Sequence, residues 1–187
     1  GQFHIRDEIA AIVDVPATKV KVIGTSIGGG FGGKLGGLVT HMAAILARKS
    51  GAPVKTVIRR SEELGGGTPA PASVIDIKLG ARRDGTMTAL EGRVVMDSGA
   101  FPEAPMSIAT ILLGAVYDIP NYKLDGYEVL TNKLGVTAYR APGAPNAAFA
   151  LEAAVGELAR TLDMDPIDLR MKNEIKEGDK WPDGEPL

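Results

Sequence analysis

Apolar residues near the start of the chain recur with two periods, one typical of helices and one of strands. Residues 5–13 carry isoleucine and valine at helical spacing, and Pro16 ends this pattern. Residues 19–23 then alternate between polar and apolar side chains, which predicts a strand. A short helix that feeds a strand is therefore expected.

A Gly-rich loop comes next, and a second helical pattern follows it. Five of the six residues at 28–33 are glycine. The helical pattern is formed by Leu38, Met42, Ile45, Leu46 and Lys49. Gly51 is its expected C-cap, and residues 54–58 predict another strand. This part of the chain is expected to form a strand, loop, helix and strand in succession.

The middle of the chain predicts a β-hairpin. Glycines and prolines mark a loop at residues 65–71, and a strand begins near Val74. The pair Asp84-Gly85 favours a tight turn, and residues 87–96 form the second expected strand. Further on, we expect a loop at 99–105, a short helix between 108 and 116, and a strand at 122–130.

The last part of the chain predicts two helices after a rigid loop at residues 138–145. The first helix has an apolar face formed by Leu151, Val155, Leu158 and Leu162. Asp165-Pro166 is typical of an N-cap followed by proline at the first helical position. Together the elements predict an α+β class, with mixed sheets and flanking helices.

Composition narrows the function classes. With 187 residues and 44% hydrophobic content, we expect one domain fragment over residues 1–187, with 1–64 and 65–187 as candidate lobes. A net charge of −2 gives no electrostatic argument for nucleic acid or a membrane surface. No apolar run approaches the roughly 20 residues that cross a bilayer, so a cytoplasmic protein is expected. Because a helical pattern starts so near Gly1, we expect a piece of a longer protein.

The few metal-binding and redox residues restrict the chemistry further. The chain has no cysteine, so it offers no thiolate and no ligand for an iron–sulfur cluster. His4 and His41 have no partner ligand at metal-site spacing, and we expect no metal held by protein side chains. Any electron transfer must therefore involve other segments or subunits.

The glycines at residues 28–33 suggest that a ligand or another backbone comes very close. Each glycine otherwise destabilises the fold by roughly 0.5–1 kcal/mol relative to alanine, because it loses more backbone entropy. Gly28, Gly33 and Lys34 fit the beginning of a nucleoside-triphosphate loop, but Leu35 stands where that motif needs a hydroxyl for magnesium. Backbone N–H groups here could cradle a phosphate or oxyanion. A strained turn without a ligand is the plainer alternative.

A dinucleotide-binding loop is the main rival interpretation. Gly28, Gly30 and Gly33 fit its glycine pattern between an expected strand and helix. Arg59 and Arg60 stand where an acidic residue is usual, which favours the phosphorylated nicotinamide cofactor. An NADP-binding reductase domain and a non-enzymatic binding module therefore stay open as alternatives.

Several motifs follow one another along the chain in a distinctive order. They are Gly28-Gly29-Gly30-Phe31-Gly32-Gly33-Lys34, Asp97-Ser98-Gly99-Ala100-Phe101, Tyr117-Asp118-Ile119-Pro120-Asn121-Tyr122, Thr137-Ala138-Tyr139-Arg140-Ala141-Pro142-Gly143-Ala144-Pro145 and Asp165-Pro166-Ile167-Asp168-Leu169-Arg170-Met171-Lys172-Asn173. In type and order they resemble the large subunit of molybdenum hydroxylases, the xanthine dehydrogenase and aldehyde oxidase family. The resemblance covers nearly the whole chain and corresponds to the first part of the molybdopterin-binding region.

The resemblance implies which residues approach the cofactor. In the first loop these are Phe31 and Gly32, with Gly30 and Gly33 beside them. In the second loop they are Tyr139 and Arg140, where arginine suits a phosphate because its planar fork donates two hydrogen bonds.

A third contact and the substrate pocket follow from the same resemblance. Gln2 matches a glutamine near the metal if two residues are deleted before Arg6, although a polar terminal residue without function is the alternative. Purine-oxidising members carry Glu and Phe at the positions of Leu35 and Pro142. A smaller or more apolar aldehyde or N-heterocycle is therefore the expected substrate.

The resemblance also implies parts that this chain lacks. The family hydroxylates a carbon centre with oxygen from water, and its catalytic base is a glutamate in a Gly-Glu-Pro segment far along the subunit. Gly184-Glu185-Pro186 comes too early to be that segment, so we expect the base outside this chain and no activity of the chain alone.

The expected cofactor is molybdenum–molybdopterin, with the cytosine dinucleotide form as one candidate. The expected partners are the rest of the large subunit and iron–sulfur and FAD subunits or domains. Apolar surface left by missing partners also predicts self-association.

Overall fold

The described residues form helices and one mixed three-stranded sheet, which confirms the expected α+β class. The computed structural model describes residues 1–37, 39–182 and Gly184. Leu38 of the predicted second helix, and Glu185 and Pro186 of the Gly-Glu-Pro segment, lie outside these residues. Unit 1 comprises residues 1–68 and 138–140, and unit 2 comprises residues 69–137 and 141–187.

The helices and strands have the following bounds. The helices are α1 (Gln2–Ile12), α2 (Thr40–Ser50), α3 (Arg60–Gly66), α4 (Met106–Gly114), α5 (Ala144–Leu162) and α6 (Pro166–Lys172). The strands are β1 (Ser73–Ala81), β2 (Met87–Gly99) and β3 (Tyr122–Leu130). None of the helices in the described ranges is long and apolar enough to cross a membrane.

Unit 2 is built on the predicted hairpin. β1 and β2 pair antiparallel, β2 and β3 pair parallel, and the strand order is β1-β2-β3. A parallel pair needs a crossover connection, and here α4 lies in the chain between β2 and β3. The hairpin, the strand at 122–130 and the helix near 108–116 are thereby confirmed.

The core of unit 2 lies between the sheet and α5. β2 contributes Met87, Leu90, Val94 and Met96, all at most 1% exposed. The predicted apolar face of α5 is confirmed, since Leu151 and Val155 are buried and Leu158 and Leu162 pack against the same cluster. Burial of this face is what stabilises α5, because helices in proteins depend mainly on tertiary packing.

The Asp165 to Asn173 motif has a structural role in unit 2. The Asp165 carboxylate accepts hydrogen bonds from the backbone N–H groups of Ile167 and Asp168, which confirms it as the N-cap of α6. Arg170 donates to Glu152 of α5 over 2.6 Å, and Tyr117 donates to the same carboxylate over 2.6 Å. Burial raises the pKa of the Tyr117 hydroxyl, and the hydrogen bond to Glu152 raises it further. This network joins α6 to α5.

Asp97, in the second motif, accepts hydrogen bonds from Lys133, Thr131 and the backbone N–H of Gly99. These bonds lower the pKa of Asp97 from 3.8 to about 2, and the bond from Lys133 makes the largest contribution. A lowered carboxyl pKa stabilises the fold above the unfolded value, and this stabilisation disappears as the pH falls through the folded value. We expect Asp97→Asn to remove this part of the acid sensitivity.

The measurement is urea unfolding of both proteins from neutral pH down to pH 2. The stability of the wild type should fall more steeply than that of Asp97→Asn between pH 3.8 and about 2. Parallel pH profiles of the two proteins would contradict the role of these hydrogen bonds.

Unit 1 contains α1, a short 3₁₀ turn at Ala17–Lys19, α2 and α3. Glu8 of α1 accepts from the Nε2 atoms of His4 and His41, each at 3.0 Å, and so connects α1 with α2. Gly51 ends α2 in the left-handed conformation, as predicted for a C-cap.

Both strands predicted in unit 1 are wrong. Residues 20–27 and 53–59 do not pair as strands with any described segment, and Ile23 and Val57 are 72% and 69% exposed. A strand needs a neighbour to accept and donate its backbone hydrogen bonds, and no described segment of the chain supplies one here. The expected strand, loop, helix and strand unit is therefore not formed.

Helix α3 was not expected, because the sequence places only a Gly- and Pro-rich loop after residue 64. Its first turn is closed by the backbone N–H of Arg59, which donates to the Glu62 carboxylate over 2.8 Å. An acidic residue three positions after the N-cap, as Glu62 is after Arg59, is a capping signal that could have revealed it.

Candidate functional site

The Gly-rich loop of unit 1 is a chain of tight turns. The N–H of Gly33 donates to the carbonyl of Gly30 over 2.9 Å, and that of Leu35 donates to Gly32 over 3.0 Å. Phe31 adopts φ +52°, a left-handed conformation that is uncommon for a bulky residue. Such strain is found where the surrounding structure requires it, often at ligand sites.

The second predicted loop lies directly against the first one. The N–H of Arg140 donates to the carbonyl of Phe31 over 2.9 Å. Gly32 has φ +102°, and a Cβ atom added to it would lie 1.8 Å from the carbonyl oxygen of Ala138. Only glycine allows the two backbones this approach. The structure therefore brings Gly30, Phe31, Gly32 and Gly33 together with Tyr139 and Arg140.

The side chains at this contact are open to solvent. The Arg140 guanidinium lies 5.8 Å from the centroid of the Phe31 ring, within the range of a cation–π interaction. Phe31 and Tyr139 are 62% and 57% exposed. Among the described residues, no carboxylate forms a salt bridge with Arg140. The N–H donors of the Arg140 guanidinium can therefore bind an acceptor from outside the chain.

The remaining predicted site residues lie as follows. Gln2 begins α1, and its Oε1 atom would be 2.9 Å from a Cβ atom on Gly24, so it lies against the segment that leads into the Gly-rich loop. Leu35 follows the loop in unit 1 and is 56% exposed. Pro142 belongs to unit 2 and is half-buried just before α5.

Two residues of this arrangement belong to the sequence motifs but were not predicted as site residues. Lys34 donates from Nζ to the carbonyl of Gly29 over 2.6 Å and so closes the glycine run. Ala138 supplies the carbonyl that packs on Gly32. The only sequence signals are the position of Lys34 at the end of the run and the small side chain at Ala138. Neither signal predicts the contact, and that of Ala138 joins residues more than 100 positions apart.

The donors present fit a pterin carrying a phosphate. Glycines in the first loop let a flat, polar ring system approach the backbone, and Arg140 offers a charged, bidentate donor for phosphate. No described group of three or more His, Cys, Asp or Glu residues could hold a metal ion.

The dinucleotide alternative is not favoured by this geometry. It needs a strand that leads into the first glycine and a second strand after the helix. Residues 20–27 and 53–59 form neither strand within the described chain.

Comparison with known proteins identifies the family. Residues 1–174 match the family described as "Molybdopterin cofactor-binding domain". The chain is 34% identical over 182 residues to the xanthine dehydrogenase molybdenum-binding subunit of Escherichia coli O157:H7, covering 95% of this chain and 24% of the relative. It is 34% identical over 185 residues to the nicotinate dehydrogenase large molybdopterin subunit of Eubacterium barkeri, covering 97% of this chain and 44% of the relative.

A solved structure agrees with these relatives. Quinoline 2-oxidoreductase from Pseudomonas putida 86 superimposes with a TM-score of 0.89 and 26% identity, over 100% of this chain and 25% of that chain. The chain thus spans less than half the length of each of these three relatives. It belongs to the molybdopterin cofactor-binding domain family and corresponds to the molybdopterin-binding region of the large subunits of molybdenum hydroxylases.

Proposed function

We propose that this chain forms part of the molybdenum–molybdopterin site of an oxidoreductase that hydroxylates an aldehyde or an N-heterocycle, with water as the oxygen source. The contact between the two loops of unit 1 supports this most strongly. It places the Gly-rich backbone beside Arg140, through the 2.9 Å hydrogen bond from Arg140 to Phe31. The family relationship supports the identity of the cofactor.

Each residue of the contact has a proposed task. The backbone at Gly30, Gly32 and Gly33 would offer its polar groups to the pterin, from a loop that only glycine lets turn this tightly against Ala138. Arg140 binds the phosphate through its planar fork, and its position over the Phe31 ring restricts the side chain before binding. Gln2 supplies an amide near the cofactor, from the start of α1.

The chemistry itself belongs to the cofactor, which accepts the reducing equivalents and activates water when it is bound. The residues of this chain bind and orient it. The general base and the remaining cofactor contacts lie in other parts of the enzyme, so the chain alone is inactive. Iron–sulfur and FAD subunits or domains carry the electrons away. The cytosine dinucleotide is one candidate form of the pterin tail.

The substrate class follows from two positions. Leu35 is apolar and exposed, and Pro142 offers neither an aromatic face nor a hydrogen-bond donor. A substrate smaller or more apolar than a purine suits both residues. The relative from Eubacterium barkeri is a nicotinate dehydrogenase, whose name indicates an N-heterocycle.

Replacement of Arg140 by alanine is expected to raise the Kd for molybdopterin about 10- to 100-fold, because a hydrogen bond to a charged group contributes about 1.5–3 kcal/mol. The measurement is an anaerobic titration of the purified chain with molybdopterin released from another molybdoenzyme, followed by pterin fluorescence. The Kd of Arg140→Lys should lie between the values for the wild type and Arg140→Ala, since lysine keeps the charge but lacks the planar guanidinium.

Arg160→Ala is the matched control. Arg160 is an exposed arginine of unit 2 that pairs with Glu157, and its removal should leave the Kd unchanged. Equal Kd values for Arg140→Ala and the wild type would contradict the phosphate role of Arg140. Binding of NADPH without binding of molybdopterin would instead favour a reductase domain.

A further inference from the structure

The outer edge of β1 is an open strand edge in unit 2. β1 pairs with β2 on one side, and within the described residues no strand pairs with its other side. An open edge presents unpaired backbone N–H and C=O groups, which can pair with another strand.

The backbone direction along this edge follows from one hydrogen bond. The N–H of Asp97 in β2 donates to the carbonyl of Ala72 over 3.0 Å. Backbone groups of successive residues in an antiparallel strand point alternately to the two sides. Ser73, Ile75 and Ile77 therefore direct their N–H and C=O groups towards the open edge.

The face of the sheet beside this edge is recessed. Ser73, Ile75 and Ile77 line a groove of about 680 Å³ together with small side chains of α5. Phe149 of α5 forms part of its wall and is 81% exposed. The alanines of α5 leave space above the edge for the side chains of an added strand.

The opposite face of β1 carries charges that are also exposed. Asp76 lies 3.5 Å from Arg93 of β2, and Lys78 lies 3.4 Å from Glu91 of β2. Their side chains are 66% and 80% exposed. Charge of alternating sign thus runs along β1 and also across the sheet.

We propose that β1 pairs with β1 of a second copy of this chain, antiparallel and centred on Ile77. In this register Asp76 of each copy faces Lys78 of the other, which forms two symmetric ion pairs across the new edge. The same register places Ile75 opposite Leu79 of the second copy on the groove side. The backbone of Ile77 points outwards, as a hydrogen-bonded central pair requires.

The charge pattern makes this pairing selective. A lysine on an edge strand normally opposes pairing with other strands, because it is left without a partner in the new sheet. Here the two-fold symmetry supplies Asp76 of the second copy, and the pairs Asp76–Arg93 and Lys78–Glu91 of each copy continue into one ladder. The dimer contains one continuous six-stranded sheet and does not depend on the cofactor.

Sedimentation velocity of the chain from about 1 µM to about 1 mM tests this pairing, with Asp76→Lys and Lys78→Asp as variants. The wild type should dimerise. Each variant brings two pairs of like charges together, which should raise the dimer Kd at least about tenfold. An equimolar mixture of the two variants restores both opposite-charge pairs and should form a heterodimer.

Asp125→Lys is the matched control, since Asp125 of β3 also lies opposite Arg93 but at the far strand of the sheet. It should leave the Kd unchanged, and circular dichroism should show the same fold for all variants. A monomeric wild type at every concentration would overturn the proposal. So would equal effects of Asp76→Lys and Asp125→Lys, or a mixture that does not associate.

Discussion

Replacement of Gly32 by alanine is expected to separate the two loops of the cofactor site. The new Cβ atom would lie 1.8 Å from the carbonyl oxygen of Ala138, and the residue would have to keep φ +102°. Neither the backbone oxygen nor the dihedral angle can adjust cheaply, so the contact should weaken by about 2 kcal/mol or more. The Arg140 amide, which donates to Phe31, reports this directly.

Hydrogen exchange measures the effect. The Arg140 amide should exchange roughly 30-fold faster in Gly32→Ala, which corresponds to about 2 kcal/mol. Gly28→Ala is the control in the same loop, because no heavy atom lies within 4 Å of its added Cβ atom. Unchanged protection of Arg140 in Gly32→Ala would show that the loops do not depend on this approach.

The second large effect is expected at Asn173, the last residue of the Asp165 to Asn173 motif. Its side chain is buried, with the residue 3% exposed, and its hydrogen bonds reach the β1–β2 turn, the start of β2 and α6. Oδ1 accepts from the N–H of Met87 over 2.8 Å, and Nδ2 donates to the carbonyls of Gly85 and Leu169 over 2.9 and 2.8 Å. Asn173 therefore fastens the β1–β2 turn to α6.

Asn173→Ala should lower the free energy of unfolding by about 3 kcal/mol, because it leaves three buried backbone groups without a partner. Thermal unfolding followed by circular dichroism should show a fall in Tm of about 10 °C. Asn121→Ala is the comparison, since Asn121 is exposed and its side chain makes one bond, to the carbonyl of Thr88 over 2.8 Å. It should lose about 1 kcal/mol at most. Equal losses of unfolding free energy in Asn173→Ala and Asn121→Ala would contradict the expected effect of burying Asn173.

This result bears on how the family motifs are interpreted. The Asp165 to Asn173 motif helped to identify the family, yet its contacts in unit 2 are structural. Motifs of a family therefore mark residues that build the fold as well as residues that meet a ligand. Only the contacts distinguish the two kinds.

Local elements could be predicted where the sequence pattern agrees with the packing. The hairpin follows from alternation around Asp84-Gly85, and α5 follows from an apolar face with helical spacing. The apolar residues of both patterns are those that pack in the core of unit 2, where Leu151 and Val155 are buried. Prediction failed at residues 19–23 and 54–58, because alternation suggests a strand but cannot supply the neighbouring strand that it needs.

The residues of the candidate site could be predicted only through resemblance. Glycine-rich sequence indicated a close approach at residues 28–33, but it did not say what approaches. Tyr139 and Arg140 are more than 100 residues further along the chain, so the contact of Arg140 with Phe31 depends on the tertiary structure.

The sequence by itself determined the α+β class, the hairpin, the caps of α2 and α6, and the likeness to molybdopterin-binding subunits, since each depends on residue type at short spacing. The tertiary structure decided that Ala138 lies on Gly32, that Asn173 joins a turn to a helix, and that no described strand pairs with the outer edge of β1. These features arise between residues distant in the chain, and the free energy of such contacts is set by packing and hydrogen bonding that no local pattern records.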